Sequence, residues 1–378
     1  MAGVIVFLSG TVTWQWYTRP TPITQPTGII LESARDGRNI VREAFPHVDF
    51  TPLYPGMTEE EIDQVQRETF AVRYVYSPFV QFRGLPMQTR YVTVAPDGRR
   101  LPGHAQPWPP RSEDVSVFVF GGSTVFGHNL PPEQTVPVAL EQELRRRFPG
   151  TEVHVYNFGC GYYFSSQERV LFNQLLENGV IPDFAVFIDG LNDFLNPLGI
   201  PEYTRTFLQY TLAESELPPE PRYEAEDERR VAVHHLLRRY QSNVRLISGS
   251  AQHYGVQTIF VGQPVPFLSY PRNPVTYPFA IEREIDVLCR WGYSMFAAMA
   301  EQKAFGSRFL WLGDVFAEAA ASMYSDSVHY SPAGARRLAQ QIVERAGQAK
   351  LLNLGGNILR SVTPQKPPPA PIPPKPPS

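Results

Sequence analysis

From Val115 onward, short apolar runs alternate with longer amphipathic stretches. VSVFVF (115–120), EVHVYNF (152–158), DFAVFID (183–189), VQTIFVG (256–262) and RFLWLG (308–313) are nearly continuous apolar runs. That pattern predicts strands buried on both faces rather than half-exposed ones. The stretches between them predict helices over 135–148, 165–179, about 228–253, about 280–303 and 332–349. Pro149-Gly150 and Gly179 supply stops, Ser165 or Ser166 a candidate N-cap, and Ser331-Pro332 a cap followed by a first helical position. Five strands separated by helices imply right-handed crossovers, hence an α/β fold with a parallel sheet covered on both sides. Sites in such folds lie at the carboxyl ends of the strands.

Upstream, the pattern is different. A charged stretch, TEEEIDQVQRETF (58–70), predicts a helix, and two extended runs follow over 70–82 and 89–101, the second containing the Pro96-Asp97-Gly98 turn signal. Residues 21–111 therefore read as a mainly β accessory layer on a catalytic-size unit of 112–350, with no evident catalytic residue of their own. Residues 1–17 carry no charge and end in Trp14, Trp16 and Tyr17. Within a segment of 1–20, this reads either as a short membrane anchor with an aromatic belt, at the lower limit for spanning ~30 Å, or as a buried or surface-lying apolar segment. It lacks the basic start and small-residue cleavage site of a secretory signal. Residues 351–378 end in a polyproline run suited to a spacer or to a ligand for a proline-reading domain.

Composition narrows the partners. With 34 basic against 37 acidic side chains and a net charge of -3, nothing suggests a nucleic-acid surface. Two cysteines provide neither a disulfide framework nor a zinc motif, and Cys160 reads as a small buried hydrophobe. The 38 prolines are about twice the ~5 % norm, so the chain must be rich in loops. One long segment, 194–230, reads as a lid with aromatic contacts from Tyr203, Phe207 and Tyr210, or in its acidic part as an unpatterned polar stretch. A second loop, 262–279, offers Gln263, Phe267 and Tyr270 as lining for an acyl or sugar pocket, or is a rigid surface loop. His234 and His235 are adjacent on a helix and diverge by about 100°, which rules out an i,i+4 metal pair.

Three segments fall where this architecture places a site. FGGSTVFG leaves the first strand with Ser123 on a turn after two glycines, which let backbone N–H groups approach a substrate. Gly190-Leu191-Asn192-Asp193 follows the third strand, and the Asn192 amide is suited to donate to an oxyanion. Asp326-Ser327-Val328-His329 precedes the last helix, with a spacing that lets a carboxylate reach one ring nitrogen and leaves the other for a serine.

In order and placement these segments resemble the SGNH (GDSL-like) hydrolases over about 112–349. The resemblance implies a three-layer flavodoxin-like fold of about five parallel strands, and ester hydrolysis or acyl transfer with no metal and no cofactor. It implies Ser123 as nucleophile, His329 as general base and then acid, and Asp326 as its orienter. The oxyanion hole would combine the Ser123 N–H, the Asn192 side chain and an N–H from Gly161 or Tyr162. The family's Gly-Asp-Ser-Leu is here Gly121-Gly122-Ser123-Thr124, so the aspartate before the nucleophile is missing. The family's second block runs Asn, four residues, Gly; counted from Asn157 that position holds Tyr162, with Gly161 one residue early. Asn157 itself is expected to hold its loop through side-chain bonds to backbone.

The expected function is a serine esterase or deacylase acting on a small acyl ester, with O-acetyl groups on a glycan as one candidate. Transfer to a sugar hydroxyl and a catalytically inert scaffold with a recruitment tail are the alternatives. The expected setting is the cell envelope or outside it, membrane-anchored through residues 1–17, with the cytoplasm as alternative.

Overall fold

A computed structural model describes residues 37–201, 204, 223, 225–280 and 283–352. The N-terminal region begins with α1 (Ile40–Ala44) and α2 (Glu59–Phe70). Thr58 and Glu61 close a capping box at the start of α2, as the sequence TEEE suggests. Two antiparallel pairs follow: β1 (Tyr74–Ser77) with β2 (Gln81–Gly84), and β3 (Met87–Gln88) with β4 (Thr93–Val94). The antiparallel strands are present as expected, but the layer is mixed rather than mainly β, because α2 is as long as the four short strands together.

The larger unit contains β5 (Val115–Gly121), α3 (Ser123–Phe126), α4 (Val136–Arg147), β6 (Val153–Asn157), α5 (Ser165–Glu177), β7 (Phe184–Asp189) and α6 (Leu191–Leu195). It continues with α7 (Glu226–His253), β8 (Gln257–Gly262), α8 (Arg283–Glu301), β9 (Phe309–Trp311) and α9 (Pro332–Gln348). Its five strands are all parallel in the order β6-β5-β7-β8-β9. This is the flavodoxin-like three-layer arrangement, and the order reverses at β5, so the crevice beyond its carboxyl end is the natural place for a site.

The strand sequences explain the layers. Alternate residues point to opposite faces, which separates Val117, Val119, Val186, Ile188, Ile259 and Val261 from Phe118, Phe120, Phe187 and Phe260. The aliphatic face is covered by α4 and α9, the aromatic face by α5, α7 and α8. Register places Phe120 opposite Phe187 and Phe187 opposite Phe260. Their rings stack at 4.8 and 5.3 Å, a ladder running across three strands.

The N-terminal region is joined to this core rather than laid upon it. Val41, Phe45, Phe50, Tyr54 and Ile62 belong to the same buried cluster as the aliphatic sheet face. Arg100, at 1 % exposure, donates to the carbonyls of Phe126 and Leu130 at 2.8 and 2.6 Å, and also to those of Gly127 and Tyr91. Burial pulls its guanidinium down to about 9. The segment that follows α3 is thereby clamped from the N-terminal side.

Residues 1–17, the tail beyond 352 and Tyr203, Phe207 and Tyr210, on which the anchor, tail and aromatic-lid readings fall, lie outside the described residues. Among the described residues no helix is long and apolar enough to cross a membrane.

Candidate active site

Ser123 opens α3 two residues after β5. As the first residue of a helix its backbone N–H has no partner within the helix, so it is free to donate forward. Gly122 must be glycine: a Cβ there would lie 2.3 Å from Asn192 Nδ2 and 3.1 Å from the Tyr163 carbonyl. The packing around Gly122 therefore leaves no room for an aspartate side chain before Ser123.

His329 reaches Ser123 Oγ with Nε2 at 2.8 Å, while its Nδ1 lies 2.7 Å from Asp326 Oδ2. The turn carrying both is pinned by hydrogen bonds. Asp326 Oδ1 accepts the Val328 and His329 backbone N–H groups at 2.8 and 2.7 Å, and Tyr324 bridges Tyr330 across the turn. Ser331 caps α9 by accepting the Gly334 N–H at 3.2 Å, with Pro332 at the first position, as the sequence predicts. Burial alone would raise the Asp326 carboxyl, but the His329 ring, its hydrogen bond and the two backbone donors outweigh that and hold it below its usual range.

The second block is positioned by Asn157, whose Nδ2 donates to the Val125 and Phe126 carbonyls at 3.1 and 3.3 Å and whose Oδ1 accepts Gly159 N–H at 2.9 Å. Gly161 and Tyr162 are distinguished by geometry. A Cβ on Gly161 would meet the Tyr74 hydroxyl at 2.1 Å, so glycine is required there by packing of the β1 hairpin. Tyr162, at the counted position, adopts φ 66°, the left-handed backbone that glycine takes most readily. At the counted position a tyrosine is thus held in a glycine-like conformation.

Asn192 begins α6 with Leu191, and its Nδ2 donates to the Tyr163 carbonyl at 2.6 Å. One amide hydrogen ties the two loops together. Ser123, Tyr162 and Asn192 are half-exposed while Gly121, Gly122, Gly161, Tyr163, Leu191 and Asp193 around them are buried, so these three positions mark where a ligand has access.

Other candidates sit elsewhere. Phe267 packs in the aromatic core, and Gln263 is buried with its amide on the Tyr330 hydroxyl at 3.3 Å. Tyr270 is buried too and donates to the Thr276 carbonyl at 2.9 Å. The 262–279 loop thus turns these side chains inward rather than toward a substrate. Cys160 is free and buried, and burial pushes its thiol well above the usual range, which makes it a poor nucleophile. Ser165 is not the cap of α5: Phe164 holds that position, and the Ser165 hydroxyl donates to Asp193 Oδ1 at 2.6 Å instead.

Sequence reasoning missed the neighbours of the histidine. His128 stacks on His329 at 5.0 Å between ring centroids and 18° between planes. Phe70 of α2 sets its edge against both, at 4.4 and 5.6 Å. His128 is buried, and burial, with His329 and Arg100 beside it, drives it well below the usual imidazole range, so it remains neutral. His128 after a Gly-rich turn carries no signal of such contacts, since its partners Phe70 and His329 are far from it in sequence.

Behind Asn192 three buried carboxyls, Glu168, Asp189 and Asp193, lie together. Burial raises all three; the neighbouring acids add to this for Glu168 and Asp189, whereas Arg239 and Ser165 partly offset it at Asp193. Burial and the neighbouring Asp189 hold the Glu168 carboxyl well above its usual range, so it keeps its proton in the fold. A folded-state carboxyl that keeps its proton favours folding at acid pH, and that contribution is lost as pH rises from the unfolded range near ~4.3 through the folded value. Glu168→Gln keeps a donor toward Asp189 with no proton to lose. Thermal unfolding at pH 5, 7 and 9 should find the variant gaining on the wild type as pH rises; parallel curves would mean that the pair is ionised in the fold.

No protein-family model matches the chain, and no curated protein does. Several solved structures match about three fifths of it at low identity. A lipase from a goat rumen metagenome is 14 % identical, with 63 % of this chain and 100 % of that one covered and a TM-score of 0.42. A catalytic mutant of an acetylxylan esterase from Geobacillus stearothermophilus is 15 % identical, covering 62 % and 94 %, with a TM-score of 0.37. A member of the lipolytic protein G-D-S-L family from Veillonella parvula is 12 % identical, covering 61 % and 97 %, also at 0.37.

Proposed function

We propose that this chain is a serine ester hydrolase of the SGNH type, acting through an acyl-enzyme. The observation that carries the reading is the continuous hydrogen-bonded chain from Ser123 Oγ through His329 to Asp326, with the Asn192 amide beside Gly122 at its serine end. A serine hydroxyl is unreactive at neutral pH unless a base removes its proton as it attacks. His329 Nε2 is in place for this, and the buried Asp326 carboxylate stabilises the imidazolium that results.

In the first half-reaction, Ser123 Oγ bonds to the carbonyl carbon while its proton passes to His329. The oxyanion is met by the Ser123 N–H, the Tyr162 N–H and the free Asn192 amide hydrogen. Its collapse breaks the bond to the alcohol, which leaves with the proton from His329. Water then attacks the acyl group with His329 again as base, releasing the acid and restoring Ser123. A sugar hydroxyl in place of water would make the same intermediate an acyl donor.

The substrate we favour is a small acyl ester carried on a glycan. Half-exposed Tyr162, edge-on to Tyr74 at 5.9 Å, offers an aromatic flank suited to a sugar ring beside the reacting carbonyl.

The test is intact-mass spectrometry after treatment with a fluorophosphonate. The expected result is one adduct, mapped to Ser123, forming faster as pH rises from 5 to 8 because the base must be neutral. Folded protein that gives no adduct overturns the proposal.

A further inference from the structure

We infer that Asn129 is a positioning residue of this site, setting the Asp326 carboxylate that orients His329, and that α2 of the N-terminal region holds Asn129 in place. The inference rests on the serine-hydrolase reading above and adds to it a residue outside the three motif segments.

Asn129 is fully buried, and its Nδ2 donates to Asp326 Oδ2 at 2.7 Å. This is the same oxygen that faces His329 Nδ1 at 2.7 Å. The other oxygen is taken by the Val328 and His329 N–H groups. The carboxylate therefore has donors on both oxygens, and the donor from Asn129 is the one that comes from outside its own turn. Without it, rotation of Oδ2 away from the imidazole would be restrained by the turn alone.

Asn129 is in turn fixed from the N-terminal side. Its backbone N–H donates to Thr69 Oγ1 at 3.0 Å, and Thr69 is anchored by its hydroxyl on the Val65 carbonyl at 2.9 Å. Next in α2, Phe70 walls His329. Arg100 grips the carbonyls on either side of Asn129, at Gly127 and Leu130. Asn129 itself has φ 64°, a left-handed backbone that asparagine tolerates better than most residues. These contacts join residues of the accessory region to the machinery through one side chain.

Charge around Asp326 sets the sign of the effect. The groups facing it or its histidine are His329 on its own turn, neutral His128 stacked on that ring, the Tyr54 hydroxyl from the N-terminal region and, behind His128, Arg100. A donor on Oδ2 withdraws electron density that would otherwise stabilise the imidazolium. Removing it makes the imidazolium easier to form, so the acid limb of the rate profile moves to higher pH.

The experiment measures the second-order rate of fluorophosphonate labelling of the full chain from pH 5 to 9. Asn129→Gly keeps the left-handed backbone and removes the donor. Labelling should slow by about tenfold at acid pH, with a deficit that shrinks as pH rises. Asn129→Asp keeps the shape and can donate only while protonated, so its deficit should grow as pH rises. Opposite slopes of the two variant-to-wild-type ratios support the inference, and circular dichroism checks that both are folded. If both label like wild type, or both lose the same factor at every pH, Asn129 is only loop packing. If one variant fails to fold, the slope of the other decides. Absence of labelling in the wild type would instead remove the parent reading.

Discussion

Ser123→Ala is expected to reduce ester turnover by about 10⁴-fold or more while leaving the fold intact. Its Oγ is the atom that would carry the acyl group, and water held by His329 at the same place attacks without forming an acyl-enzyme. Structural cost should be small. Ser123 is half-exposed, its hydroxyl is bonded to His329, and Ala is at least as compatible with the first turn of α3. The check is steady-state turnover of an acetyl ester by wild type and variant at equal concentration, with near-ultraviolet circular dichroism as the fold control. A variant within tenfold of wild type would mean that Ser123 is not the nucleophile. The Cys160 thiol cannot be its substitute, since it is buried and held protonated.

Much of this site could be read from the chain because its chemistry sits on local patterns. Each strand is a short run buried on both faces, and each is followed closely by a polar segment that topology brings to one edge. Ser123, Asn192 and the Asp326–His329 turn were visible for that reason. Gly161 and Tyr162 could not be told apart, because a left-handed φ at a tyrosine leaves no mark in residue type. The inward direction of Gln263, Phe267 and Tyr270 was also hidden. A proline-rich loop at the carboxyl edge looks the same in sequence whether it lines a pocket or closes a core.

The N-terminal region is the clearest case of a role that sequence concealed. TEEEIDQVQRETF reads as an ordinary charged helix, and only the fold brings its last two residues, Thr69 and Phe70, to Asn129 and His329. Arg100 in an apparently polar strand end proves to be buried among four carbonyls. Such long-range roles have no periodicity and no motif, since they depend on which surfaces meet.

Asn192→Ala is the second large effect, expected to lower kcat by about 10²- to 10³-fold with little change in KM. The amide has two hydrogens, and the structure commits one of them to the Tyr163 carbonyl at 2.6 Å. The other lies beside Gly122, where the proposed mechanism develops negative charge, and a donor that strengthens only in the transition state acts on kcat rather than on binding. Alanine removes both hydrogens, so some of its effect would come from loosening the loop that carries Tyr162. Asn192→Asp separates the two contributions. It has nearly the same shape, but an ionised carboxylate can donate to neither the Tyr163 carbonyl nor an oxyanion, and it repels both. If the amide is an oxyanion donor, aspartate should be slower than alanine although it fills the space better. If loop packing is what matters, the kcat losses of the two variants should instead follow their losses of thermal stability. Measuring kcat and KM for both variants against an activated acetyl ester decides between them, and an alanine variant with unchanged kcat would remove Asn192 from the oxyanion hole altogether.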